Sequence, residues 1–282
     1  MAFGSGLSTL AAALLQAGSW TVSDWRPAPI SSPAFESHPA FDRRDRAFFF
    51  VRGSPGFSGW RLMISHCRHG RWTEPAPPGF AGDGLEADPF LAADGASLWF
   101  ISSRSEAGER QNELDIWRVT RRRGGGWGPP ERLPEPVNSA GNEWFPRPAR
   151  DGWLYFGSDR RGGLGATDIW RARQSGDGWR VENLGPGVNG AGDEYEAEIS
   201  ADGRRMLLMA DGDLFAANKG RDGRWGGRTR LGPEINTEAL EVGPTFAADG
   251  RSFLFSRDTG RPASGEIFLA RGRGATALPA CR

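Results

Sequence analysis

Aromatic and aliphatic residues fall in short runs along this chain, each fenced by glycine, serine or arginine: Ala47 to Val51, Leu98 to Ile101, Trp153 to Phe156. Runs of this length between turn residues predict buried strands, and no stretch keeps the three-to-four spacing of a long helix. One stretch, Asn138 to Arg173, shows the whole pattern. It holds a turn, a short strand, the turn pair Asp151-Gly152, an aromatic strand, a glycine-rich loop and a third strand opening on Asp168-Ile169-Trp170. The same order of features recurs along the molecule, so this is one unit of an array.

The units begin at Glu36, Glu86, Glu143, Glu194 and Glu241, spaced 50, 57, 51 and 47 residues apart. Three residues on stand Pro39, Pro89, Pro146, Ala197 and Pro244. Asp-Gly pairs follow in the last four units at Asp94, Asp151, Asp202 and Asp249, whereas the first unit has Arg44-Asp45 there. Third strands restart at Trp60, Asp115-Ile116-Trp117, Asp168-Ile169-Trp170, Asp213-Leu214-Phe215 and Glu266-Ile267-Phe268. Outer strands are predicted from Trp72, over Trp127 to Leu133, Trp179 to Leu184 and Trp225 to Leu231. Four strands in about 50 residues, repeated, predict the blades of an all-β propeller.

These Asp-Gly turns, together with Ser158-Asp159-Arg160 and the D-I-W, D-L-F and E-I-F strand starts, resemble the WD40-like PD40 repeats, the kind also found in the propeller of TolB. The likeness covers about Glu36 to Ala270. It implies a binding scaffold and carries no catalytic motif.

The fifth unit shows only three clear strands. Trp20 to Ile30 has the Trp and Pro pattern of an outer strand and no neighbour to pair with, so it is expected to complete the fifth blade and close the ring, removing an open sheet edge. Five blades over residues 19–282 follow; a six-bladed ring of the TolB kind would need about 45 more residues. Residues 1–18 hold the apolar run Leu7 to Gly18, of a length that suits a signal peptide, but Met1 to Gly6 carries no Lys or Arg. The expected location is periplasmic or secreted if this leader directs export, and cytoplasmic otherwise. Cys67 and Cys281, on blades that would be neighbours, could pair in an exported chain.

Charge narrows the partners. Lys plus Arg equals Asp plus Glu at 35 each, and no basic stripe stands out, which speaks against nucleic acid. Lys219 is the one lysine, so Schiff-base chemistry or a phosphate-loop lysine has little to use. No apolar run is long enough to span a membrane, and no motif names a cofactor. A monomer binding a protein, peptide or glycan is the expectation.

The long loops near Gly53 to Gly59, Ser105 to Leu114, Arg161 to Thr167 and Asp258 to Gly265 share one face, and a site is expected there. The repeated Glu36, Glu86, Glu143, Glu194 and Glu241, with Arg52, Arg104, Arg160 and Arg257, read as a structural hydrogen-bond network. Residues that break the repeat are the better binding candidates: His38, Asp88, Arg147, Glu196 and Glu198, polar side chains on predicted inner strands. No catalytic residue is assigned on the scaffold reading. The alternative is a glycoside-hydrolase-like propeller using inner-strand carboxylates such as Glu86, Glu143 and Glu194. Asp115, Asp168, Asp213 and Glu266 lack calcium-loop spacing and read as turn caps. His66, Cys67 and His69 are too few for a metal site.

Overall fold

The computed structural model describes residues 20–54, 58–104, 110–259, 266–275 and 281. The expected leader, and parts of three of the long loops, lie outside them. The described residues form twenty strands and no helix. The strands are β1 (Thr21–Asp24); β2 (Phe35–Asp42), β3 (Ala47–Ser54), β4 (Ser58–Arg68) and β5 (Arg71–Trp72); β6 (Glu86–Leu91), β7 (Ser97–Arg104), β8 (Arg110–Thr120) and β9 (Glu131–Arg132); β10 (Glu143–Pro148), β11 (Leu154–Ser158), β12 (Asp168–Ser175) and β13 (Gly178–Asn183); β14 (Glu194–Ile199), β15 (Arg205–Ala210), β16 (Asp213–Asn218) and β17 (Thr229–Arg230); β18 (Leu240–Phe246), β19 (Ser252–Asp258) and β20 (Ile267–Arg271).

They make five four-stranded antiparallel sheets, the blades of one propeller. Four blades run through consecutive strands; the fifth has the order β1-β20-β19-β18, with Thr21 opposite Arg271 and Asp24 opposite Phe268. The closing strand is shorter than the sequence suggests. After Trp25, whose amide still donates to Ile267, the chain turns at Pro27 to Ile30, because proline supplies no ladder donor. Outer strands β9 and β17 are likewise cut to two residues; Trp127 and Trp225 attach only through single bridges to Arg121 and Lys219, with the Gly128-Pro129-Pro130 and Gly226-Gly227 segments following.

The second strand of each blade explains why those aromatic runs are continuous. Side chains alternate across a strand, so both faces of a sheet stacked between two others are buried. Phe48 and Phe50 of β3 enter the core between blades five and one, while Phe49 enters the core between blades one and two. Leu98 and Phe100 of β7 share that second core, and Trp99 and Ile101 point into the next. Met206 and Leu208 face blade three while Leu207 and Met209 face blade five. Each of the five hydrophobic clusters thus fills one interface between blades. Gly157 on β11 is required by this stacking: a Cβ there would lie 2.5 Å from the Tyr195 carbonyl oxygen of the next blade.

Among the described residues no helix is long and apolar enough to cross a membrane. Cys67 on β4 forms a disulfide with Cys281, 214 residues away.

Candidate functional site

The five repeated glutamates are at most 1 % exposed. Each carboxylate accepts an amide from the residue four positions earlier: Ser32, Gly82, Ser139, Gly190 or Thr237. Each also meets an arginine: Glu36 with Arg52, Glu86 with Arg104, Glu143 with Arg160, and Glu241 with Arg257. The same arginines donate to carbonyls of the preceding loop at Ile30, Phe80, Pro136, Val137 and Ile235. In the fourth blade the position is held by Arg228, which pairs with Glu194 and donates to Val188. All five acids are therefore joints of the scaffold, and Glu86, Glu143 and Glu194 are not placed as a catalytic set.

A repeat that the opening section did not use does related work. Asn138, Asn189 and Asn236, each five residues before a glutamate, are buried and clasp the backbone of Ile116, Ile169 and Leu214. The recurring Val/Ile-Asn pair in the sequence is the signal that identifies them.

Two residues beyond each glutamate the inner strand reaches the axis. Four of these residues, His38, Asp88, Phe145 and Gly243, have φ between 51° and 65°, at breaks in strand register. That left-handed conformation is costly outside glycine and marks a place where the surroundings dictate the backbone. At the first two it turns His38 and Asp88 toward each other, and Glu196 meets them there. His38 Nε2 lies 2.9 Å from Glu196 Oε1 and 3.2 Å from Asp88 Oδ1, and its Nδ1 is 2.8 Å from Ser37 Oγ. Asp88 Oδ2 accepts the Phe145 amide and Glu196 Oε2 the Gly243 amide. Gly243 is needed for this closure, since a Cβ there would approach the His38 Cα to 3.1 Å. Burial opposes the imidazolium, but Asp88 and Glu196 together hold the His38 pKa above its ordinary value. Burial raises the Asp88 carboxyl against the pull of His38.

Beside this triad, Arg147 Nε donates to Glu198 Oε2 at 2.7 Å, and Glu198 Oε1 accepts the Phe246 amide. The Arg147 guanidinium lies over the Phe145 ring, 3.4 Å from its centroid. Arg147 is 1 % exposed and Glu198 3 %; desolvation lowers the arginine's pKa and raises the carboxyl's.

All five sequence candidates thus meet on the axis, but not as the open funnel expected toward the long loops. They are buried and fill the channel. The open space lies at the other end. A cavity of about 410 Å³ is lined by the ends of all five inner strands and the short turns that follow them, including Ala40 to Arg44, Phe90 to Gly95, Pro148 to Arg150, Glu198 to Ala201 and Thr245 to Ala248. The site is expected at the long loops, and the cavity opens among the short turns instead: five tight turns around a ring cannot reach across its axis, so they form a rim. Of the five candidates only Glu198 lines this cavity. Thr245 lines it too, with a buried Oγ1 that has no hydrogen-bond partner among the described residues.

The fold and this arrangement define a five-bladed propeller whose axial channel is plugged by an ion network and open at the Asp-Gly-turn end. No family model and no curated protein matches the chain. Solved structures do. A thermostable family-43 glycoside hydrolase aligns at TM-score 0.53 and 12 % identity, covering 92 % of this chain and 99 % of the other. A periplasmic gluconolactonase from Pseudomonas aeruginosa aligns at TM-score 0.48 and 18 % identity, covering 86 % and 73 %. A gluconolactonase from Xanthomonas campestris aligns at TM-score 0.49 and 13 % identity, covering 96 % and 93 %. At 12 % identity the likeness to the glycoside hydrolase bears on the propeller fold alone. The expectation of a non-catalytic scaffold binding through its long-loop face is corrected on two counts: a structure sharing the fold at a TM-score above 0.5 is that of a glycoside hydrolase, and the axial cavity opens among the short turns of the opposite face.

Proposed function

We propose that the protein, built from PD40-type blades, is a hydrolase of the glycoside-hydrolase kind that holds a sugar-sized substrate in the axial cavity, with Glu198 as the acid. The observation that supports this most is the asymmetry of the rim-side inner positions. Where the five blades place Ala40, Phe90, Arg147, Glu198 and Thr245, one alone carries a carboxyl group, and that group lines the cavity. A carboxyl raised by burial stays protonated at higher pH than an exposed one and can give its proton to a departing sugar oxygen. Phe90, on the same wall, adds apolar surface against which a sugar can pack. A family-43 glycoside hydrolase shares the fold, which is a precedent for this chemistry on such a ring.

Asp42 also reaches the wall, where Arg121 and the amides of Arg44 and Asp45 engage its oxygens as Arg147 and the Phe246 amide engage those of Glu198; Glu198 is taken as the acid because burial raises its carboxyl. The proposal therefore rests on one acid: Glu198 gives its proton to the departing oxygen as the glycosidic C–O bond breaks, water adds to the anomeric carbon, and the proton that water sheds returns to the Glu198 carboxylate, without a covalent glycosyl intermediate. The disulfide between Cys67 and Cys281 supports a periplasmic or secreted location.

The test is a panel of aryl glycosides and sugar lactones assayed with the wild type and Glu198→Gln. The amide oxygen keeps one of the two accepted hydrogen bonds, from Arg147 or from the Phe246 amide, and the group has no acidic proton. A fall in kcat of about 100-fold or more is expected, as for loss of a general acid. Full activity in Glu198→Gln would overturn the assignment, and no turnover of any member by the wild type would overturn the function.

A further inference from the structure

We infer that the sugar taken by this cavity is anionic, a monosaccharide bearing a carboxylate or phosphate, with its charged group at the rim and its hydroxyls at the floor. This rests on the sugar-pocket reading above. The cavity wall carries Arg43, Arg44, Arg150, Asp42, Asp94 and Glu198 as its charged residues. Asp42 is paired with Arg121 and Glu198 with Arg147, both arginines being buried. What remains is three arginines against Asp94, a carboxylate that already accepts the Ala96 amide in its own turn. Arg43, Arg44 and Arg150 have exposed side chains with no ion pair among the described residues. They come from turns of two different blades, the first and the third, so they converge from separate sectors of the rim.

Three guanidinium groups around a concave mouth focus positive potential into it, and each can bind a carboxylate or phosphate through paired N–H donors. A neutral molecule overall, with its acids and bases equal in number, has no general need for such a patch. At the floor the requirement changes sign. The Glu198 carboxyl there disfavours an anion beside it, and the Thr245 hydroxyl, without a partner among the described residues, can pair with a sugar hydroxyl. A ligand that fits both ends must be a polyol with a charge at one end.

Calorimetric titration of the wild type with D-glucuronate, D-glucose 6-phosphate, D-glucose and inorganic phosphate at low ionic strength tests this. At least one of the two anionic sugars should bind about tenfold or more tighter than glucose, the scale of a charge-assisted pair, and added salt should narrow the gap. In the triple variant Arg43→Gln, Arg44→Gln, Arg150→Gln, whose side chains are exposed, the preference should vanish while Tm stays unchanged. Glucose binding as well as both anionic sugars would overturn the inference and leave the sugar pocket standing. Inorganic phosphate matching the sugar phosphate would also overturn it, as would a preference that survives in the triple variant. Binding of none of the sugars would remove the sugar pocket itself.

Discussion

His38 is held by two carboxylates in a setting that would otherwise keep an imidazole neutral, and this makes stability depend on pH in a definite direction. Its folded pKa is raised above the unfolded value of about 6.5. The stabilisation is thus fully present below that unfolded value and is lost as pH rises through the folded pKa. The raised carboxyls of Asp88 and Glu198 have the same sign, their contribution fading from the ordinary carboxyl range upward. Tm should therefore decline on the alkaline side, and His38→Gln should flatten the part of the decline that begins near neutrality. An identical Tm–pH profile in the variant would count against the imidazolium. Arg147 gives a second residue-scale prediction. Seen only as a polar side chain on an inner strand it reads as a ligand contact that could be removed without harm to the fold. Buried against Glu198, its replacement in Arg147→Met should cost about 3–5 kcal/mol in urea denaturation, with part regained when Glu198→Gln is added.

At the scale of the blade, the glutamate–arginine joint fixes how each inner strand meets the loop before it. Glu143 accepts hydrogen bonds from Ser139, Ser158 and Arg160, and Glu143→Ala should leave that set unpaired at a cost of about 1–3 kcal/mol by chemical denaturation. Arg228→Gln should destabilise by a similar amount to Arg160→Gln; a silent Arg228 variant would mean that its pairing with Glu194 is incidental. Four of these joints are legible in the sequence because both partners lie on neighbouring strands of a repeated hairpin at nearly constant spacing. The one in the fourth blade is not, because there Asp211-Gly212 closes the hairpin tightly and the cation arrives from β17's approach, 34 residues away from Glu194. The same limit applies at the axis. The sequence singles out His38, Asp88, Arg147, Glu196 and Glu198 as departures from the repeat. Whether such side chains face water or each other depends on the radius at which five blades close, and no local pattern encodes that radius. The face on which the cavity opens is hidden for the same reason: loop length along the chain does not show that around a ring short turns leave the axis open.

For the whole molecule, closure of the ring is the long-range problem. The core between blades five and one, with Phe48, Phe50, Leu254, Ile267 and Leu269, joins the two ends of the chain and forms only once all five blades are in place. Two ties cross it. Strand β1 belongs to blade five yet runs directly into blade one through Trp25, whose ring packs on Phe41 and Phe48. The disulfide fastens Cys281, beyond β20, to Cys67 on β4. A cross-link over so long a segment removes much of the freedom of the unfolded chain, and such bonds contribute about 2–4 kcal/mol. At about 2–4 °C per kcal/mol for a domain approaching this size, reduction should lower Tm by roughly 5–15 °C. The double variant Cys67→Ser, Cys281→Ser should melt at the temperature of the reduced wild type and show no further response to reductant. Equal melting temperatures for oxidised and reduced wild type would mean that β1 and the interface core close the ring unaided, and that the disulfide adds nothing to its stability.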